Sequence, residues 1–142
     1  MAPVVRGPGP LGERLITLAG YTVDGDVAKG GQYAAEYLDI LYALAYIGNH
    51  KVDDYGDFRL QDIRSWDRET WGAYWDIQRK FGRLENQILN VSDGDSVVRA
   101  HVDKLMETLS DQAVYCVRMI QILRRLEEKG LVPSERSNHR GK

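Results

Sequence analysis

At 142 residues the chain has the size of one domain and enough apolar material for a single core. Hydrophobic residues make up 43% and charged residues 28%, a globular balance rather than a disordered one. A formal charge of -2 argues against a DNA- or RNA-coating protein, and the lone Cys116 excludes an intrachain disulfide or a Cys-rich zinc site.

The opening residues, 1–10, are too rich in proline and glycine to sustain a helix or the apolar region of a signal peptide. They are expected to form a disordered tail, as is the polar, aperiodic segment 132–142 at the other end. Between them, 11–131 are expected to form one helical domain. Leu11–Ala19 predicts a short first helix, followed by turns at Asp24-Gly25-Asp26 and Gly30-Gly31. From Gln32 to Ile47, residues Ala34, Leu38, Leu41 and Ala45 recur on one face, with Tyr37, Leu44 and Ile47 beside them. That helix is apolar nearly all round, which predicts a central position, and Gly48-Asn49 is expected to end it.

A long connection, His50–Arg64, is expected next. Ser65 is a candidate N-cap for a helix carrying Trp71, Trp75, Ile77, Phe81, Leu84 and Ile88, with Asp67 and Glu69 suited to its positive end. After a turn over Asn90–Gly94, a last helix is predicted from Asp95 or Ser96 to Lys129, with Gly130 as its cap. Its apolar residues, from Val98 and Val102 through Leu105, Leu109, Ala113, Cys116, Ile120 and Leu123, are spaced by three or four. The fold class is therefore all-α, a bundle of about four main helices. The last helix would be about 50 Å long, against about 30 to 35 Å for a compact domain of this size. An overhanging apolar end predicts a homodimer, or a dimer of dimers, with Ile120, Leu123 and Leu126 near the interface. No run approaches the roughly 20 apolar residues of a membrane helix, so a soluble cytoplasmic protein without a membrane partner is expected.

Three segments carry candidate chemistry. The first is acidic, Lys51-Val52-Asp53-Asp54-Tyr55-Gly56-Asp57, and reads either as a solvated turn or as a ligand-facing loop. In the second, Lys80 and Arg83 share a helix with Glu85 and the interior Gly82. Gly82 has the ordinary explanation of a close helix approach; the two cations are either a solvated edge or a pair facing phosphates. In the third, Glu107 and Asp111 lie one turn apart on one face. Two such carboxylates repel unless a cation joins them. That cation is either a basic neighbour such as Lys104 or Arg83, or a hard divalent metal such as Mg²⁺.

The order Asp-Tyr-Gly, Lys-x-x-Arg-Leu-Glu-Asn, Glu-Thr-Leu-x-Asp-x-Ala-x-Tyr resembles small phage and bacterial proteins of the MazG-like, nucleotide-modification-associated group. The resemblance spans roughly 45 to 125 and places the chain beside all-α NTP pyrophosphohydrolases. In these, paired acidic motifs hold Mg²⁺ for hydrolysis between the α- and β-phosphates. It implies metal ligation by Asp111 with Glu107, and a catalytic Glu85, or Glu36 and Asp39, facing them from another helix. Thr108 stands where the second acidic motif would have a further carboxylate. Lys80 and Arg83 would then neutralise phosphoryl charge, and the loop holding Asp54 and Tyr55 would close over the base. The expected ligand is a nucleotide, handled in a bacterial host cytoplasm if the chain is phage-encoded. The rival functions are a non-catalytic nucleotide sensor or sponge, and a helical protein-interaction protein. A nucleic-acid-binding bundle is the weakest, because basic residues are not gathered on one helix face.

Overall fold

The computed structural model describes residues 8–22, 32–55, 58–92 and 99–134. For 52–55, 58–59, 90–92 and 99–100 the description is of backbone alone. The described residues form five helices and no strand: α1 Pro10–Leu18, α2 Ala34–Tyr55, α3 Phe58–Gln61, α4 Trp66–Ser92 and α5 Arg99–Glu128. The all-α expectation is met, with four longer helices and the single turn α3. The expected turns at 24–26 and 30–31, the start of the last helix at 95–96, and most of both expected tails lie outside the described residues.

The chain divides into two compact units, Met1–Ala43 and Leu44–Lys142. In the first, Pro10 opens α1, where its missing N–H costs nothing. Gly20, at φ 92°, closes it: the N–H groups of Gly20 and Tyr21 donate to the carbonyls of Thr17 and Ile16. The opening turns of α2 were expected to be central. Among them, Tyr37, Ile40, Leu41 and Tyr42 are exposed.

The second unit is built on α4 and α5, which run antiparallel. Ser65 caps α4 as expected, its hydroxyl accepting from the N–H of Arg68 at 3.2 Å. Glu69 reaches back to accept from the N–H of Arg64 at 3.0 Å. Near that end, Asp62 lies 3.1 Å from Arg64 and 3.3 Å from Arg68. The hydrogen bond from Arg64 leads in holding its carboxyl below the usual value, against desolvation and with help from Arg68.

The buried core sits where the start of α4 meets the end of α5: Ile63 and Ala73 pack with Ile122 and Leu126, flanked by Leu60, Trp66, Met119, Leu123 and Leu131. Gly130, at φ 67°, ends α5 as expected. Its N–H donates to the carbonyl of Glu127, and that of Leu131 to Leu126, turning Leu131 back onto the core. The ammonium of Lys129 lies 3.4 Å from the carbonyl of Gln61 and 3.3 Å from that of Ile63, tying the end of α5 to the α3–α4 connection.

Two expectations about helix ends are corrected. Gly48-Asn49 does not terminate α2, which continues to Tyr55. Gly48 keeps a negative φ and faces Val114, 3.8 Å from where its Cβ would be, so the left-handed cap never forms. The supposed loop from His50 to Arg64 is largely the last turns of α2 together with α3. Nor does the end of α5 overhang as an apolar surface. Leu126 is completely buried and Leu123 packs against the core, because Ile63 and Leu131 cover this stretch.

Candidate functional site

Three helices of the second unit converge on one carboxylate. Asp111, midway along α5, has its Oδ1 2.6 Å from the ammonium of Lys51 on α2 and its Oδ2 3.2 Å from the ammonium of Lys80 on α4. All three side chains are largely shielded; Lys80 is 15% exposed and Asp111 18%. Continuation of α2 past Gly48 is what delivers Lys51, since Leu44, Gly48 and Lys51 follow one helical row. Lys51 also lies 5.4 Å from the ring centroid of Tyr115, one turn beyond Asp111.

The electrostatics are those of two lysine ammoniums sharing one carboxylate. Burial alone would raise the Asp111 carboxyl. The hydrogen bonds and charges of Lys51 and Lys80 outweigh it and hold the group below its ordinary value. One turn before Asp111, Thr108 is 1% exposed, and its hydroxyl has no hydrogen-bond partner among the described residues. The carboxamide oxygen of Gln87, on α4, is likewise buried and unpartnered. A buried polar atom without a partner costs about 1–3 kcal/mol.

The other expected site residues are placed less closely. Glu107 precedes Asp111 by one turn on the same side of α5 and is exposed. Arg83 is exposed on α4, one turn from Lys80. Glu85 is five residues beyond Lys80, about 140° around the helix, and lines an apolar groove with Phe81, Leu84, Ile88 and Leu89. Glu36 and Asp39 are exposed and belong to the first unit. The side chains of Asp54 and Tyr55 lie outside the described residues, but their backbone is helical rather than looped. Among the described residues no three His, Cys, Asp or Glu side chains are grouped to hold a metal. As arranged, both carboxylate oxygens of Asp111 are taken by lysine ammoniums.

From the sequence Lys51 was only the first residue of an acidic segment and had no role of its own, because the assumed cap at Gly48 placed it in a loop. Its spacing from Leu44 and Gly48 was the available signal. Thr108 was visible only as the position of a missing acid; its burial reveals a different part. No protein-family model, no curated protein and no solved structure matches the chain.

Proposed function

We propose that this chain binds a nucleotide, taking its phosphate at the junction of α2, α4 and α5. The observation that carries the proposal is the cluster itself: Lys51 and Lys80 brought together on Asp111, shielded from solvent, beside the unpartnered hydroxyl of Thr108. An incoming phosphate would accept a charge-assisted hydrogen bond from the Lys80 ammonium, which gives only one bond among the described residues, to Asp111. Thr108 supplies a donor and acceptor that costs stability until a ligand or water reaches it. Arg83 and Glu107, both exposed nearby in sequence on α4 and α5, suit the rim of such a site.

The resemblance to the MazG-like, nucleotide-modification-associated group supports this reading, since Lys80, Arg83, Asp111 and Tyr115 fall in the segments that carry it. Pyrophosphohydrolase activity with Mg²⁺ is the catalytic extension of the same proposal. It would require acids beyond Asp111 and Glu107 to come together with them. Binding therefore comes first. The test is thermal unfolding of the full chain with nucleoside mono-, di- and triphosphates, each with and without Mg²⁺, and release of pyrophosphate in the same mixtures. A ligand bound by the native state raises Tm by mass action. The expected result is a rise that is lost in Lys80→Ala. No rise with any nucleotide, or an equal rise in Lys80→Ala, overturns the proposal.

A further inference from the structure

The two ammoniums that share Asp111 are not held alike. Lys51 lies 2.6 Å from Oδ1 and Lys80 lies 3.2 Å from Oδ2. The first is a short charge-assisted contact; the second is at the long limit for an N–H···O bond. Lys51 also has a second support. Its ammonium sits over the ring of Tyr115, 5.4 Å from the centroid. Among the described residues no aromatic ring lies under the Lys80 ammonium. Exposure of the whole side chain, 27% for Lys51 and 15% for Lys80, averages stem and head and does not rank the two ammoniums.

Helical spacing explains how one lysine meets both partners. Asp111 and Tyr115 stand one turn apart on α5, so their side chains are neighbours on one face. Lys51 reaches that face from α2, where Gly48 runs against Val114, 3.8 Å from the place of a Cβ.

A lysine ammonium ends a flexible stem, and an ion pair alone fixes such a stem poorly, which is why isolated exposed pairs contribute little. A ring face adds a second constraint. Its quadrupole attracts a cation within about 6 Å of the centroid, and its apolar surface takes the methylenes behind it. Asp111 and Tyr115 together therefore define one position for Lys51. A carboxylate bonded to a fixed ammonium is itself fixed, and Asp111 is the one hydrogen-bond partner of the Lys80 ammonium among the described residues.

We propose that Tyr115 is the positioning residue of the cluster: it holds Lys51 on Asp111 and so leaves Lys80 as the ammonium that changes partner when a phosphate arrives. The second half of this statement rests on the phosphate reading given above; the first half does not. Without the ring, Lys51 would swing away, and Asp111 would draw more fully on Lys80 and compete with the phosphate for it.

Nuclear magnetic resonance of the full chain, with lysine labelled by carbon-13 at the ε position, separates the two halves. Lys51→Arg and Lys80→Arg supply the assignments. A methylene held over a ring face is shielded by the ring current, so the ε-protons of Lys51 should resonate upfield of those of the other lysines. The shift should persist in Tyr115→Phe, which keeps the ring face, and vanish in Tyr115→Leu. Titration of the Asp111 carboxyl should follow it. Its acid strength should be unchanged in Tyr115→Phe and fall toward that of an ordinary aspartate in Tyr115→Leu, because part of the depression comes from Lys51. An ordinary Lys51 shift in the unmodified chain, or a shift and titration indifferent to Tyr115→Leu, overturns the positioning role.

Inorganic phosphate, added without divalent metal, tests the division between the lysines. The ε-carbon of Lys80 should move during the titration while that of Lys51 stays in place. Tyr115→Leu should weaken phosphate binding by about 2- to 5-fold, the factor that corresponds to a cation–π contact at an exposed site. Movement of Lys51 in place of Lys80, or equal binding by Tyr115→Leu, overturns the division. No binding by the unmodified chain overturns the phosphate reading and the division with it, while the ring-current shift still decides the positioning role. Should Tyr115→Leu lose helicity, the Lys51 shift in the unmodified chain and in Tyr115→Phe decides.

Discussion

Lys51 and Asp111 are 60 positions apart in the chain, yet their charged atoms lie 2.6 Å apart, and this pair fastens the end of α2 to the middle of α5. Removing the carboxylate leaves Lys51 and Lys80 facing each other without their shared partner. Asp111→Asn should therefore destabilise the fold by about 1–2 kcal/mol, between the values for exposed and buried ion pairs, given the partial shielding of the cluster. The same substitution raises the net charge of the cluster, so inorganic phosphate should bind the variant more tightly when no metal is present. Denaturant unfolding and phosphate titration of the variant check both signs. Weaker phosphate binding would point to Asp111 as a metal ligand instead.

The acid limb of stability carries the signature of the same group. The folded-state value of Asp111 is lowered, so its stabilisation is complete above the ordinary aspartate value, near pH 4. It is lost as the pH falls through the lower folded value. A stability profile from pH 7 downward should thus steepen below about pH 4. The steepening should be reduced in Asp111→Asn.

Thr108→Val should separate stability from function. Valine keeps the shape and removes a buried hydroxyl without a partner, so unfolding should cost about 1 kcal/mol more in the variant. If Thr108 serves the ligand, the nucleotide-induced rise in Tm should shrink at the same time. Unchanged or lower stability in Thr108→Val would show that the hydroxyl finds a partner in solution.

At the core end, Leu126→Ala should cost about 2–5 kcal/mol, the range for a fully buried leucine. Gly130→Ala should cost about 1–2 kcal/mol, because φ 67° is unfavourable for a residue with a Cβ. Chemical denaturation of the two variants checks the ranking. A small effect of Leu126→Ala would mean that the packing around Ile63 and Ile122 reorganises around the loss.

Helix content, the Ser65 cap and the Gly130 cap were legible in the sequence because each rests on local chemistry. The end of α2 was not. A glycine followed by asparagine is a cap only when the chain turns left-handed there, and the anchoring of Lys51 on Asp111 favours continuation. The grouping of Lys80 with Asp111 was accessible only in part. Periodicity located each residue on its helix, but the contact depends on how α4 and α5 align. Leu126 illustrates the converse: its apolar stripe was plain, whereas the residues that cover it, Ile63 and Leu131, are brought there by a turn and a cap.

The tether from Lys129 to the carbonyls of Gln61 and Ile63 bears on the order in which the molecule opens. It staples the last turn of α5 beside the only fully buried leucine among the described residues, Leu126. The strongest packing and the capped terminus thus coincide at one end of the hairpin. Backbone amides there should exchange with solvent slowest, close to the rate set by global unfolding. Amides near the end of α2, fastened through Lys51, should exchange through smaller openings that leave the hairpin intact. The unit would then unzip from α2 inward, with the Ile63–Leu126 end the last to part.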